Sequence, residues 1–153
     1  GTNHLDGAAP FYGVYETADR QWLSVGAIEP QFHAAFYRGL GIDEPTQMDA
    51  TSWPAGKQVV AERIRQKSRD EWMAIFDGAE ACVAPVLAPT ELPNHPHTAA
   101  RATTIRVAGV LQPAPAPRFS RTVSEAGTPC HPGAHEIVDV IGEWTATSSS
   151  TDR

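Results

Sequence analysis

The sequence is poor in cysteine, in basic residues and in long apolar runs. Only Cys82 and Cys130 occur, in no Cys-x-x-Cys pair, which argues against a disulfide framework and favours a reducing compartment. Lys and Arg number 12 against 18 Asp and Glu, and this balance argues against binding to a nucleic-acid backbone. No apolar run approaches the roughly 20 residues of a membrane span. We therefore expect a cytoplasmic protein with neither nucleic acid nor a membrane as partner.

Several motifs that would identify a reaction are also missing. The sequence has no GxGxxG, no phosphate-binding loop and no GxSxG. His residues at 95, 97, 131 and 135 can be grouped with the two cysteines, but neither grouping has CxxC or HExxH spacing. We expect no metal ion.

The chain has 153 residues, enough for one ordinary domain with a modest core. It opens at Gly1 without an initiator Met and without the basic and apolar regions of a signal peptide. We therefore expect a piece of a longer polypeptide.

The first half of the sequence predicts strands and helices. Residues 11–17 and 22–25 are rich in aromatic and β-branched residues around a polar connection, which predicts a hairpin. Helical spacing predicts one helix from Pro30 until Gly39 and Gly41 stop it, and a second that Ser52 caps and that ends near Lys67. A capping box at residues 68–71 predicts a third helix, ending at 77–78.

The second half has a different composition. Residues 81–87 predict a strand, which Pro85 limits to an edge or terminal position. Eight of the 13 prolines lie between residues 89 and 132, which indicates extended connecting chain with a small hairpin over 103–112. Apolar residues at 137, 138, 141 and 144 predict a final helix, and the Ser-rich terminus is expected to fray.

These elements indicate an α+β fold with an antiparallel hairpin and helices. We expect a small domain over 1–88, an extended Pro-rich return segment and helix over 89–147, and a disordered tail over 148–153. A long connection of this kind usually lies across another body. The final helix should therefore pack on another part of the same polypeptide or on a second subunit.

Glu29 is the most informative carboxylate, because it stands where a strand passes into a helix. Helix N-termini favour anions, so one interpretation is a charge that stabilises the helix dipole, and the other is a catalytic role. Tyr12, on the preceding strand, is by itself typical of a core ring with its hydroxyl at the surface.

A resemblance to a known family covers nearly the whole chain. It starts with Asn3-x-Leu5-Asp6-Gly7-Ala8-Ala9-Pro10-Phe11-Tyr12 and includes Gly26-Ala27-Ile28-Glu29-Pro30. Further matching stretches lie, in order, at 15–19, 69–72, 81–86, 95–97, 113–120 and 132–135. Together these stretches resemble the class III CoA-transferase family, and within it the racemases.

The resemblance implies a longer protein, in which a large Rossmann-like domain precedes this region and two chains interlock as a homodimer. The implied reaction is α-proton abstraction from a 2-methylacyl-CoA thioester, an enolate intermediate and reprotonation on the other face. It implies no cofactor, since acyl-CoA is the substrate. The catalytic His and Asp of the family would lie upstream of Gly1, so His4 takes neither role.

Two residues can be matched to functional positions of the family, and a third is expected at the substrate. Glu29 corresponds to the glutamate that pairs with the catalytic His, where a carboxylate would favour the protonated imidazole and orient it. Tyr12 corresponds to a tyrosine that lines the acyl site, and Ile28 is expected to contact substrate. Two departures, Arg20 for a turn glycine and His33 for a tyrosine, are expected not to touch Glu29.

Two other functions compete with racemisation. A class III CoA transferase would move CoA between carboxylic acids, with its aspartate nucleophile also upstream. The isolated chain is also consistent with a non-catalytic folding and dimerisation module. The stretch at residues 26–30 favours the racemase.

Overall fold

The computed structural model describes residues 1–127. They form two compact units, Gly1–Pro89 and the residues from Thr90 onward. In chain order the elements of this part are β1 (Tyr12–Glu16), β2 (Trp22–Gly26), α1 (Pro30–Leu40), α2 (Trp53–Ile64), α3 (Arg69–Phe76), β3 (Val83–Val86), a 3₁₀ turn (Leu92–Asn94), α4 (Pro96–Ala100), β4 (Thr104–Val107) and β5 (Val110–Pro113). The expected mixture of helices with an antiparallel hairpin is confirmed. The assignment of the two parts to a small domain and a return segment stays a prediction.

Three antiparallel strands form the sheet of the first unit, in the order β1-β2-β3. The pairs Tyr12–Gly26 and Val25–Val83 set the registers of its two ladders. The predicted hairpin is confirmed, and β3 is an edge strand of this sheet, as a proline inside it requires.

The core lies on one face of this sheet, because alternate residues of a strand point to opposite sides. Tyr15, Leu23 and Val25 are buried, whereas Val14 and Trp22 on the other face are exposed. The helices cover the buried face with a set of apolar side chains, among them Phe36, Leu40, Val60, Ile64, Trp72 and Phe76. Every fully buried residue of the described chain lies between positions 9 and 81.

The ends of the helices agree with the sequence in part. The capping box is confirmed: the Ser68 N–H donates to Glu71 Oε2 at 2.8 Å, and the Glu71 N–H donates to Ser68 Oγ at 3.3 Å. Ser52 is the N-cap residue of α2, as predicted, but its side chain does not cap the helix, because its hydroxyl donates to the Asp49 carbonyl instead. α2 ends at Ile64, before the predicted Lys67.

Only one of the two glycines predicted to stop α1 does so. Gly41 terminates the helix in the left-handed conformation, at φ 67°. Gly39 lies inside the helix, where a Cβ would collide with the Phe76 ring. It therefore allows close helix approach rather than helix termination.

The Pro-rich stretch is not uniformly extended, which corrects the prediction for residues 89–132. Pro93 stands at the second position of the 3₁₀ turn and Pro96 at the first position of α4, where a missing N–H costs nothing. The Thr98 hydroxyl fastens this segment by donating to the His95 carbonyl at 3.0 Å.

The predicted small hairpin is confirmed as β4 and β5. Its two-residue turn, Ala108-Gly109, has positive φ at both positions, as a hairpin turn that follows the strand twist requires. The predicted final helix and frayed tail lie outside the described residues. None of the helices in residues 1–127 has the length and apolar character needed to cross a membrane.

Candidate functional site

The ends of all three strands of the first sheet meet beside the start of α1. Tyr12 lies opposite Gly26, and the Gly26 N–H donates to the Cys82 carbonyl at 2.9 Å. A Cβ on Gly26 would lie 3.8 Å from Cε2 of Tyr12, so the half-buried Tyr12 ring lies over this glycine. A Cβ at this distance would make an ordinary van der Waals contact with the ring.

The chain turns sharply between β2 and α1. The Ala27 N–H donates to the Phe11 carbonyl at 2.9 Å, and the Ile28 N–H donates to the Gly26 carbonyl at 3.0 Å. The Ile28 carbonyl accepts a hydrogen bond from Nε2 of Gln47, in the loop after α1. These bonds fix the peptide that immediately precedes Glu29.

Glu29 is the N-cap residue of α1, with an extended backbone at φ −69° and ψ 142°. Its carbonyl accepts hydrogen bonds from the N–H groups of Phe32 at 3.0 Å and His33 at 2.9 Å. Its side chain is exposed and makes no capping hydrogen bond. The backbone is therefore fixed by the helix, while the carboxylate projects beyond it.

Tyr12, Ile28 and Glu29 come to the same end of the sheet, but they do not form a bonded cluster. Within residues 1–127 no hydrogen bond joins Tyr12 to Glu29, and Ile28, which precedes Glu29 in the chain, is half-buried. An open cavity of about 640 Å³ lies beside α1, and Gln31 and Phe32 line it, whereas these three residues do not. The proposed roles of the three residues stay predictions.

Cys82 is a neighbour of this site that the sequence pattern does not reveal. Desolvation raises the pKa of the Cys82 thiol, and the Glu29 and Glu80 carboxylates raise it further. A raised pKa keeps the thiol protonated near neutral pH, so it is a poor nucleophile. The pairing of β2 with β3 is the signal that would have placed Cys82 opposite Gly26.

His33 corrects one expectation, because its backbone N–H does touch Glu29. Its side chain is fully buried, and Nδ1 lies 2.8 Å from Oε1 of Glu44. The ring packs against Phe11, with 5.2 Å between ring centroids, and against Tyr37 at 4.7 Å. Burial, followed by the Glu44 carboxylate, raises the pKa of Tyr37 to about 12.

The other departure, Arg20, lies in the β1–β2 turn, at the opposite end of the strands from Glu29. It adopts φ 59°, a left-handed conformation that a glycine would adopt without strain. In the part of the chain that the structure describes, no three His, Cys, Asp or Glu residues are arranged to hold a metal ion.

Comparison with solved structures supports the class of fold. The crystal structure of Rv3272 from M. tuberculosis matches with a TM-score of 0.61 at 12% identity. The match covers 79% of this chain and 34% of that chain. At this identity the likeness shows a shared fold.

Comparison with protein families identifies the chain more closely. The model of CoA-transferase family III matches residues 1–135. The chain therefore belongs to CoA-transferase family III, as the sequence resemblance indicated.

Two curated relatives carry the same name, α-methylacyl-CoA racemase. The mouse protein is 43% identical over 149 residues, which cover 94% of this chain and 39% of that protein. The human protein is 44% identical over 126 residues, which cover 80% of this chain and 33% of that protein. The chain thus spans little more than a third of the length of the relatives it matches.

Proposed function

We propose that this chain is the C-terminal part of an α-methylacyl-CoA racemase, which interconverts (R)- and (S)-2-methylacyl-CoA thioesters. The observation that carries the proposal is the 43% identity to a protein of that name over 94% of the chain. The position of Glu29 supports it, since a fixed backbone presents an exposed carboxylate. No cofactor takes part, and acyl-CoA is the substrate.

In the proposed reaction a base removes the α-proton of the thioester and an acid returns a proton to the opposite face. Such chemistry needs a group on each face of the α-carbon and stabilisation of the enolate oxygen. The family resemblance assigns the two groups to a His and an Asp upstream of this chain. Glu29 would pair with that His, because a nearby carboxylate favours the imidazolium and fixes the ring.

Tyr12 and Ile28 would contact the acyl group. The Tyr12 ring is half-buried over Gly26 and offers apolar area with a polar tip, which suits an acyl chain beside a thioester. Enclosure of the substrate would come from the missing large domain in an interlocked homodimer.

The test is α-proton exchange of a 2-methylacyl-CoA in D₂O, followed by NMR. We expect exchange with the full-length polypeptide and none with the 153-residue chain. In the full-length protein, Glu29→Gln should lower the exchange rate by about a hundredfold, within the usual range for an acid–base contribution, and leave the melting temperature unchanged.

Glu80→Gln is the matched control, because Glu80 is another exposed carboxylate that acts on the same Cys82 thiol. It should leave the exchange rate unchanged. Exchange by the isolated chain would contradict the upstream assignment. An unchanged rate together with a lowered melting temperature for Glu29→Gln would return Glu29 to a helix-terminus role.

The family match itself favours a second candidate, a CoA transferase. Such an enzyme would transfer CoA from the thioester to a free carboxylic acid. Formation of a new acyl-CoA from an added carboxylate, without α-proton exchange, would select the transferase. If the full-length protein catalyses neither reaction, the chain is a folding and dimerisation module.

A further inference from the structure

A buried histidine in α1 is tied to the loop that follows this helix. His33 has no exposed surface, and its Nδ1 lies 2.8 Å from Glu44 Oε1, whose side chain is 47% exposed. A carboxylate can only accept, so Nδ1 donates this hydrogen bond. The bond therefore fixes the loop at Glu44 from inside the core.

The same loop reaches back to the peptide in front of Glu29. Three residues after Glu44, the Gln47 Nε2 donates to the Ile28 carbonyl. The Gln47 carbonyl in turn accepts from the Trp53 indole N–H at 2.9 Å. Gln47 is thus held from both sides, by the start of α2 and by the turn that carries Glu29.

One aromatic ring contacts both residues that hold the loop, His33 and Trp53. Phe11 makes edge-on contacts with His33, at 5.2 Å between centroids, and with Trp53, at 5.9 Å. Its carbonyl accepts the Ala27 N–H. Loop, helix and turn therefore share one rigid support, in which a shift of Glu44 is transmitted to the Ile28 peptide.

We infer that His33 and Glu44 are positioning residues for Glu29, which act by holding Gln47 against the Ile28 carbonyl. The two peptides that flank Glu29 then have independent anchors: Gln47 holds the preceding one, and the N–H groups of Phe32 and His33 hold the following one. Loss of the Glu44 anchor loosens the first of these, because only Trp53 then holds Gln47 against the turn, and leaves the helix intact. The inference rests on the proposed role of Glu29.

The test uses the full-length protein and the exchange assay, with Glu44→Ala as the main variant because Glu44 lies on an exposed loop and its substitution removes no apolar side chain from the core. Misplacement of a reacting group by 1 Å costs about a hundredfold in rate, so a partial release should lower kcat by about tenfold. KM should stay nearly unchanged, whereas the melting temperature should fall by a few degrees because the buried Nδ1 of His33 is left without an acceptor. Glu44→Gln, whose amide oxygen still accepts from His33 Nδ1, should restore most of kcat.

Asp43→Ala is the matched control, since Asp43 is the exposed neighbour of Glu44 in the same loop. It should leave kcat unchanged. In a Glu29→Gln background, Glu44→Ala should cause no further loss, because it acts only through Glu29.

The outcomes distinguish failure of the positioning role from failure of the proposed role of Glu29. If Glu29→Gln lowers kcat and Glu44→Ala does not, only the positioning role is overturned. If Glu29→Gln has no effect, the proposed role of Glu29 falls first and the positioning role falls with it. A loss of kcat in Glu44→Ala that persists undiminished in the Glu29→Gln background, or that Glu44→Gln fails to restore, also overturns the inference.

Discussion

The two units of this chain hold their secondary structure by different means. In residues 1–89 a sheet and three helices bury a shared core that includes Phe36, Trp72 and Phe76. Between residues 90 and 127 no residue is fully buried, and prolines, hydroxyl bonds and a two-residue turn determine the conformation. Only the first unit therefore has the packing needed to hold Glu29 in a fixed position.

The largest expected difference in stability between the two units comes from removing one aromatic ring from the core of the first. Trp72 is fully buried, stacks on Phe76 and donates its indole N–H to the Ile64 carbonyl at 2.7 Å. Trp72→Ala should lower the free energy of unfolding by about 3–5 kcal/mol, from lost burial and a residual cavity. Urea unfolding followed by circular dichroism measures it.

The matched control lies in the second unit. Phe119 is 57% exposed, so Phe119→Ala should change the free energy of unfolding by less than about 0.5 kcal/mol. Equal losses of unfolding free energy in the two variants would show that the difference in burial between the two units does not govern stability.

Substitutions in the turns of the two hairpins should have effects of medium size on stability. Arg20 and Ala108 each occupy a left-handed turn position, at φ 59° and 49°. Asn tolerates this conformation better than either residue, so each substitution by Asn should stabilise its turn by about 0.5–1 kcal/mol. Urea unfolding and amide hydrogen exchange together report the result.

The two variants should differ in how far the gain extends. Arg20→Asn should raise the urea midpoint of the whole first unit, because β1 and β2 belong to its core. Ala108→Asn should slow exchange only in β4 and β5. A global rise for Ala108→Asn would mean that the two units unfold together.

Local patterns in the sequence predicted the first unit well, because its strands and helices carry their own periodicity and caps. Gly39 was misassigned, since its close approach to Phe76 depends on tertiary packing that no local pattern encodes. The helix at Pro96 was missed because proline density indicates extended chain unless each proline falls at a helix start.

The residues of the candidate site also differ in whether local sequence patterns could predict them. Glu29 could be found from the strand-to-helix junction and the family resemblance. The contact between His33 and Glu44 could not, because the two residues are 11 positions apart and meet only when the loop folds back on α1. Cys82 joins the site only through strand pairing across 55 intervening residues, since the Gly26 N–H donates to its carbonyl.

The smallest expected effect concerns how the first unit responds to acid. Asp19, in the β1–β2 turn, accepts a hydrogen bond from the Thr17 hydroxyl at 2.5 Å and one from the first N–H of α3, on Arg69, at 3.2 Å. The Thr17 hydroxyl bond, and with it the Arg69 N–H, lowers the pKa of Asp19 below its usual value of 3.8.

A lowered pKa gives this carboxylate a stabilising effect that is complete above its unfolded-state pKa, near 4, and is lost as the pH falls through the lower folded-state pKa. Asp19→Asn should therefore reduce the urea midpoint slightly at pH 7 and make the midpoint fall less steeply as the pH drops below about 4. Glu62→Gln, which removes an exposed carboxylate from α2, should leave that fall unchanged. An acid limb that is equally steep in the Asp19→Asn variant would mean that the link between the β1–β2 turn and α3 adds nothing to the stability of the first unit.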